Sequence, residues 1–300
     1  MNVIKLVSRL RGDGVFRATR GFSSETTIKT NYENISWPEP EIEDVKKQLR
    51  ELEGGRVTLY KDETNGIAQL CIDHVEKKNS LSGKMMVEFH EAISTLEKWE
   101  TGKGVLLFSK GDTFCSGGYL ETVKALSAPE GGFRMSALMQ DAVMRLRNLP
   151  LISVAVIHGQ ALGGGAELTL CTDFRLCTPK SEIGFVQARM GITTGWGGGL
   201  LLKKLVGHPK ALDIMLTSRR LKLDEIKALG LVDGIVNPDG RLNESSQWLN
   251  SKVEHLPVSV VHAVKKNVLS SSFYEERQIF GGVWGGPSHL EKLAQNIKHN

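Results

Sequence analysis

The stretch that decides the fold runs from residue 149 to residue 168 and reads LPLISVAVIHGQALGGGAEL. Residues 151–157 form an apolar, β-branched run that predicts a buried strand. Three glycines at 163–165 follow, and a short helix is predicted at 166–171. Glycine lets a ligand approach the backbone closely, and the N–H groups that open a helix lack partners within it. The stretch therefore predicts a strand that leads to a turn with outward-pointing N–H groups.

A second glycine turn, FCSGGYL at residues 114–120, follows another predicted strand at 104–109. If both turns face one pocket, their N–H groups form an oxyanion hole, in which each donor contributes about 3 kcal/mol to the transition state. Glu167 lies one helical turn beyond the second glycine run, where its carboxyl group can exchange a proton with the adjacent carbon.

The residues alone also allow a simpler interpretation of these glycines. They could serve close packing of strand on helix, with Glu167 as an exposed helix acid, because short motifs often match by chance. A dinucleotide site is excluded, since the GxGxxG spacing is absent and no acidic residue closes the following strand.

Strands and helices alternate outward from this stretch. Strands are predicted at 56–60 and 66–72, and a helix capped by Ser82 extends to about residue 100. The C-terminal third is mostly helical, so the chain is predicted to be an α/β protein. We expect a basic, disordered segment at 1–53, the core at 54–240 and a helical region at 241–300.

Composition narrows the partners and the compartment. The chain has 300 residues and a net charge of +4, and residues 1–20 carry the whole basic excess. The rest is neutral, which excludes nucleic acid as the expected partner, and no apolar run reaches the roughly 18 residues of a membrane span. The Arg-rich residues 1–24 suit either a mitochondrial transit peptide or a solvated tail. The cysteines are predicted to be buried free thiols.

At these motifs the chain resembles the crotonase (enoyl-CoA hydratase/isomerase) superfamily from about residue 55 to its end. The matching segments are KKNSLS at 77–82, TFCSGG at 113–118, GGGAE at 163–167 with CTD at 171–173, and GLVDGIV at 230–236. The resemblance implies a spiral of ββα units with a C-terminal helical region that supports a homotrimer or a dimer of trimers. It also implies an acyl-CoA thioester as substrate and no separate cofactor or metal.

The resemblance assigns roles to particular residues. Gly118 and Gly164 would supply the oxyanion hole, and Glu167 matches a catalytic glutamate of the hydratases. The expected substrate-binding residues are Lys78, Ser80, Leu81, Ser116, Tyr119, Leu120, Gly163, Gln187, Met190 and Trp196. An apolar pocket around the substrate could use Phe185 and Val186 together with Met190 and Trp196.

Within the superfamily, the similarity is greatest to members that decarboxylate ethylmalonyl-CoA and, more slowly, methylmalonyl-CoA, a metabolite-repair role in the cytosol. The second glutamate of the hydratases is replaced by Gln187, which cannot act as an acid or a base. The alternatives are an enoyl-CoA hydratase or isomerase and a non-catalytic acyl-CoA-binding protein. The latter gains support from Tyr119, where the family usually has an acid, and from Thr194, where proline is usual. The cytosol is expected, with the mitochondrial matrix as the alternative.

Overall fold

The computed structural model describes residues 36–295. The chain divides into residues 1–37 and residues 38–300, and all elements described below belong to the second unit. Residues 1–24, which suit either a transit peptide or a solvated tail, lie outside the described residues. Within residues 36–295, every helix is too short or too polar to span a bilayer.

The strands form two sheets. They are β1 Arg56–Asp62, β2 Ile67–Asp73, β3 Gly104–Ser109, β4 Ile152–Ile157, β5 Gln160–Leu162, β6 Phe174–Cys177, β7 Glu182–Gly184, β8 Arg220–Lys222 and β9 Gly234–Ile235. The large sheet has the order β1-β2-β3-β4-β6-β9, and the small sheet has the order β5-β7-β8. In the large sheet β1 and β2 are antiparallel and every later pair is parallel.

Helices connect the strands and cover the sheets. They are α1 Ile42–Arg50, α2 Gly83–Glu97, α3 Leu120–Ala125, α4 Pro129–Asn148, α5 Gly164–Thr169, α6 Gly198–Val206, α7 His208–Thr217, α8 Leu223–Ala228, α9 Arg241–Val253, α10 Val258–Leu269, α11 Phe273–Val283 and α12 Pro287–Ala294. As predicted, Ser82 caps α2: its side chain accepts a hydrogen bond from the N–H of Met85.

The chain winds as a spiral in which a strand of the large sheet is followed by a strand of the small sheet and then by a helix. The unit β4-β5-α5 shows this plainly, and β6-β7-α6 repeats it. Two isolated parallel bridges, Leu81 with Gly118 and Cys115 with Ala161, extend the small-sheet layer toward the earlier turns of the spiral. The predicted spiral of ββα units is thus confirmed.

Both faces of the large sheet are buried, which explains the continuous apolar runs of its strands. In β4, Ala155 and Ile157 join the main core with α2 and α4, whereas Val154 and Val156 join a smaller cluster with Leu249 of α9. The parallel strands all end at one edge of the large sheet. The chain segments that leave this edge therefore lie close together, and they form the small sheet and the glycine turns.

The N-terminal boundary differs from the prediction. Helix α1 lies within the expected disordered segment, yet Val45 and Leu49 are buried in the main core, and α1 packs on α2 and α4. The boundary at residue 53 is therefore wrong for residues 42–50. The helix escaped prediction because its two core residues stand among charged ones, in the sequence IEDVKKQLR.

Candidate active site

The structure brings the two glycine turns into contact. A Cβ added to Gly117, whose φ is +101°, would lie 3.2 Å from the backbone nitrogen of Gly164 and 3.2 Å from the carbonyl oxygen of Leu162. A Cβ on Gly165 would lie 2.0 Å from the carbonyl oxygen of Cys115. Only glycine permits this approach, so these residues place the two backbones side by side.

Each turn leaves one backbone donor open. Gly164 is the first residue of α5, where an N–H group has no partner within the helix. Leu81 donates to the carbonyl of Gly117 and accepts from the N–H of Tyr119, both at 2.8 Å, and Gly118 lies between these two bonds. Among the described residues neither the N–H of Gly118 nor that of Gly164 donates to a backbone oxygen, and both glycines are partly exposed. Two adjacent free donors are what an oxyanion hole requires.

The segment that contains the expected substrate-binding residues Lys78, Ser80 and Leu81 borders the first turn. The N–H of Ser116 donates to the carbonyl of Lys78 at 3.1 Å. Lys78 and Asn79 both adopt left-handed backbone angles, with φ of 52° and 54°. The Asn79 amide donates to the carbonyls of Lys110 and Thr113 at 2.7 and 2.6 Å, and its oxygen accepts from the N–H of His74 at 2.8 Å. Asn79 therefore fixes a turn that asparagine tolerates better than most residues.

The other predicted binding residues differ in what they can offer a ligand. Ser80 and Leu81 are buried, and the backbone N–H and carbonyl of each are hydrogen-bonded within the protein, whereas Lys78 is exposed. Leu120 and Met190 are 54% and 71% exposed. Gly163 is the N-cap of α5, and its N–H donates to the carbonyl of Gly184 at 2.8 Å.

Glu167 is buried and accepts four hydrogen bonds. Its Oε2 accepts from the backbone N–H groups of Trp196 and Gly198 at 2.7 and 2.8 Å. Its Oε1 accepts from Nε2 of Gln187 at 2.8 Å and from the N–H of Gly195 at 3.4 Å. Burial raises the pKa of Glu167 and outweighs the hydrogen bonds, which lower it.

Gln187, which the family resemblance predicts to replace the second glutamate of the hydratases, faces Glu167. The Gln187 side chain is buried, and its Oε1 has no hydrogen-bond partner among the described residues. An amide at this position cannot give up or take a proton in the way a carboxyl group can. The pair therefore contains one ionisable group instead of two.

Residues 194–199, here called the Trp196 loop, cover the second glycine turn. Trp196 is 4% exposed, and a Cβ added to Gly164 would lie 2.3 Å from Cζ3 of its indole. Thr194 Oγ1 accepts from the N–H of Gly199 at 3.1 Å, so the threonine that stands where the family usually has proline satisfies an N–H group in the first turn of α6. The indole thus forms an apolar wall directly beside one of the two free donors.

A polar pair on α4 contacts the Trp196 loop and was not predicted from the sequence. Ser136 Oγ and Gln140 Nε2 both donate to the carbonyl of Gly195. Their only signal in the sequence is that two polar residues spaced four apart share one helix face.

Two other residues differ from the roles expected for them. Phe185 is 1% exposed in the main core and does not line an open pocket. The Tyr119 side chain caps no N–H group of α3. Its ring packs edge-on against the His74 ring, with 5.2 Å between the two ring centroids.

Comparison with known sequences shows which family this chain resembles. Residues 62–279 match the family model described as enoyl-CoA hydratase/isomerase. The chain belongs to that family. It is 43% identical over 264 residues to the ethylmalonyl-CoA decarboxylase of Xenopus tropicalis, covering 85% of this chain and 88% of that one. It is 40% identical over 270 residues to the ethylmalonyl-CoA decarboxylase of Homo sapiens, covering 86% and 87%.

Solved structures of the family share the fold. An enoyl-CoA hydratase from Bacillus anthracis superposes with a TM-score of 0.74 at 25% identity, covering 80% of this chain and 95% of that one. An enoyl-CoA hydratase from Geobacillus kaustophilus gives 0.74 at 21% identity, covering 81% and 93%.

Proposed function

We propose that this member of the enoyl-CoA hydratase/isomerase family is an acyl-CoA decarboxylase that acts on ethylmalonyl-CoA and more slowly on methylmalonyl-CoA. The observation that carries the proposal is a pair of free backbone donors beside a single ionisable group, with Gln187 in place of a second carboxylate. Relatives at 40–43% identity that are named ethylmalonyl-CoA decarboxylase support it.

The reaction needs the donors more than it needs a base. The bond between the α-carbon and the free carboxylate breaks, CO2 leaves, and the electron pair stays on the thioester as an enolate. The N–H groups of Gly118 and Gly164 then hold the enolate oxygen, at about 3 kcal/mol for each donor. One proton added to the α-carbon gives the saturated thioester, butyryl-CoA from ethylmalonyl-CoA. Glu167 is predicted either to position groups for this reaction or to return that proton.

The environment of the departing carboxylate also favours decarboxylation. The indole of Trp196 borders Gly164, so a carboxylate placed beside it loses part of its hydration. Uncharged CO2 does not need that hydration, and the transition state is therefore disfavoured less than the substrate. A hydratase has the opposite requirement, because it must hold and activate a water molecule between two carboxyl groups.

Two assays on the purified protein test the proposal. We expect CO2 release from ethylmalonyl-CoA, slower release from methylmalonyl-CoA, and little loss of the enoyl absorbance of crotonyl-CoA. Rapid hydration of crotonyl-CoA without CO2 release would instead establish a hydratase. Binding of butyryl-CoA without turnover of any of the three would establish a non-catalytic acyl-CoA-binding protein, the alternative that Tyr119 and Thr194 suggest.

Self-association and location belong to the same proposal. We propose a homotrimer or a dimer of trimers, because α11 and α12 bury no residue. In α11 and directly after it, Phe273, Phe280 and Trp284 are 52–85% exposed. Exposed apolar surface of this kind is typical of a subunit interface. Sedimentation of the full chain measures the assembly. We propose the cytosol as the site of a repair reaction; import of a fusion of residues 1–30 into mitochondria would contradict this.

A further inference from the structure

Within the described part of the chain, every hydrogen bond that the Glu167 carboxyl group accepts comes from the Trp196 loop or from Gln187. Three of the four donors are backbone N–H groups of the loop, at Gly195, Trp196 and Gly198. The contact is so close that a Cβ on Gly198 would lie 2.8 Å from Oε2 of Glu167. Glu167 thus fastens the loop to α5, the helix whose first residue is Gly164.

The same loop presses on the oxyanion turn. The three atoms nearest to a Cβ added to Gly164 are Cζ3, Cε3 and Cη2 of Trp196, at 2.3–2.7 Å. The backbone N–H of Trp196 itself donates to Glu167 at 2.7 Å, so one bond fixes the residue whose ring contacts Gly164. On the loop's other side, Ser136 and Gln140 hold the carbonyl of Gly195.

We propose that Glu167 is a positioning residue that acts through Trp196: it holds the indole against Gly164 and so fixes the direction of the Gly164 N–H. The inference deepens the proposed function and rests on the oxyanion role of Gly164. A side chain that is 2% exposed and has both oxygens engaged by two donors each has little freedom to meet a substrate.

A conservative and a disruptive variant separate positioning from proton transfer. In Glu167→Gln the remaining oxygen still accepts from Trp196 and Gly198. The new amide finds an acceptor if the side-chain amide of Gln187 flips by 180°, because Oε1 of Gln187 has no hydrogen-bond partner among the described residues. Glu167→Met has a similar length but accepts no strong hydrogen bond, so the loop is released.

The primary readout is the carbonyl stretch of bound butyryl-CoA labelled with ¹³C at the thioester carbon, measured by difference infrared spectroscopy. Hydrogen bonds from the oxyanion donors lower this frequency, whatever reaction the protein catalyses. We expect Glu167→Gln to keep most of the wild-type shift, and Glu167→Met and Trp196→Leu to lose most of it. Combining Glu167→Met with Trp196→Leu should add little, because coupled residues are not additive.

Turnover of ethylmalonyl-CoA gives the second readout. A displacement of about 1 Å costs about a hundredfold in rate, so we expect that loss in kcat for Glu167→Met and less than about tenfold for Glu167→Gln, with KM nearly unchanged. Glu244→Met is the matched control. Glu244 also accepts from a backbone N–H and a side-chain amide, both of Asn237, but on α9. It should change neither readout.

Several results would overturn the inference. One is a folded Glu167→Met protein with the full carbonyl shift. Another is Glu167→Gln losing as much turnover as Glu167→Met while keeping the shift, which would make Glu167 a proton donor. If Glu167→Met does not fold, as judged by circular dichroism, a full shift in Trp196→Leu is decisive against the inference. A wild-type protein that binds butyryl-CoA without any shift refutes the oxyanion hole itself, whereas a shift without CO2 release refutes only the decarboxylase proposal.

Discussion

The two glycine turns present the same chemical group but are built differently. Gly118 lies in a loop whose neighbours pair with the backbone of Leu81, and the one atom within 4 Å of an added Cβ is Cγ2 of Val123, at 3.1 Å. Gly164 opens a helix beneath the indole of Trp196. The first donor is therefore fixed mainly by backbone pairing, whereas the second depends on a missing Cβ and on a loop from a later part of the chain.

The largest expected effect comes from adding a methyl group to each turn. In Gly164→Ala the Cβ overlaps a rigid ring, so the indole or the start of α5 must move, and we expect turnover to fall at least about a hundredfold. Gly118→Ala is the matched variant. Gly118 has no positive φ, and Val123 is 40% exposed, so the methyl group is accommodated and turnover should fall less than about tenfold.

CO2 release from ethylmalonyl-CoA measures both variants, and circular dichroism checks their folding. Equal losses in the two variants would mean that the turns are equally constrained, contrary to the comparison. Near-full activity of a folded Gly164→Ala protein would remove Gly164 from the oxyanion hole.

A smaller effect is expected where the second turn meets Gln187. In Gln187→Glu two carboxyl groups would lie about as close as the 2.8 Å that now separates Nε2 from Oε1 of Glu167. Burial already raises the pKa of Glu167, and a second carboxylate raises the apparent pKa of the pair further. The variant should turn over ethylmalonyl-CoA more slowly, because negative charge near the substrate carboxylate opposes its binding.

This variant also has a signature in its stability. A raised pKa in the folded state means that the native protein keeps a proton that the unfolded chain releases. The stabilisation is then present at low pH and is lost as pH rises through the folded-state pKa. The Tm of Gln187→Glu should therefore fall below that of the wild type by a growing amount as pH rises from about 5 to about 8. A Tm difference that does not change with pH would show that the two carboxyl groups do not interact.

Local patterns predicted one part of this molecule and missed another. An apolar run predicted strand β4, and Ser82 predicted the start of helix α2. The spacing of the glycines predicted the two turns. Strands β5, β7 and β8 have three residues each, too few to show an alternating pattern. The contact of Trp196 with Gly164 escaped prediction because it joins segments far apart in sequence, and only the spiral brings them together.

Glu167 shows the same limit within the candidate site. Its position after the glycines predicted a carboxyl group near the substrate, which follows from helix spacing alone. Its partners at 195–198 follow from how α6 begins, and no local pattern reveals that a carboxylate will bind those N–H groups. Sequence located the group, and tertiary packing determined what it holds.

The smallest expected effect tests whether the first turn really is fixed by its backbone. Cys115 is completely buried beneath that turn, and its Sγ accepts from the N–H of Gly117 at 3.4 Å. Burial raises the pKa of this thiol to about 12, so it stays protonated and should resist alkylation in the native protein at neutral pH. A serine hydroxyl can accept the same hydrogen bond, whose net worth is about 1 kcal/mol, so Cys115→Ser should change turnover less than about fivefold. The measurements are CO2 release and thiol titration before and after denaturation. A loss as large as that of Gly164→Ala would show that a side chain, and not the pairing with Leu81, holds the first donor in place.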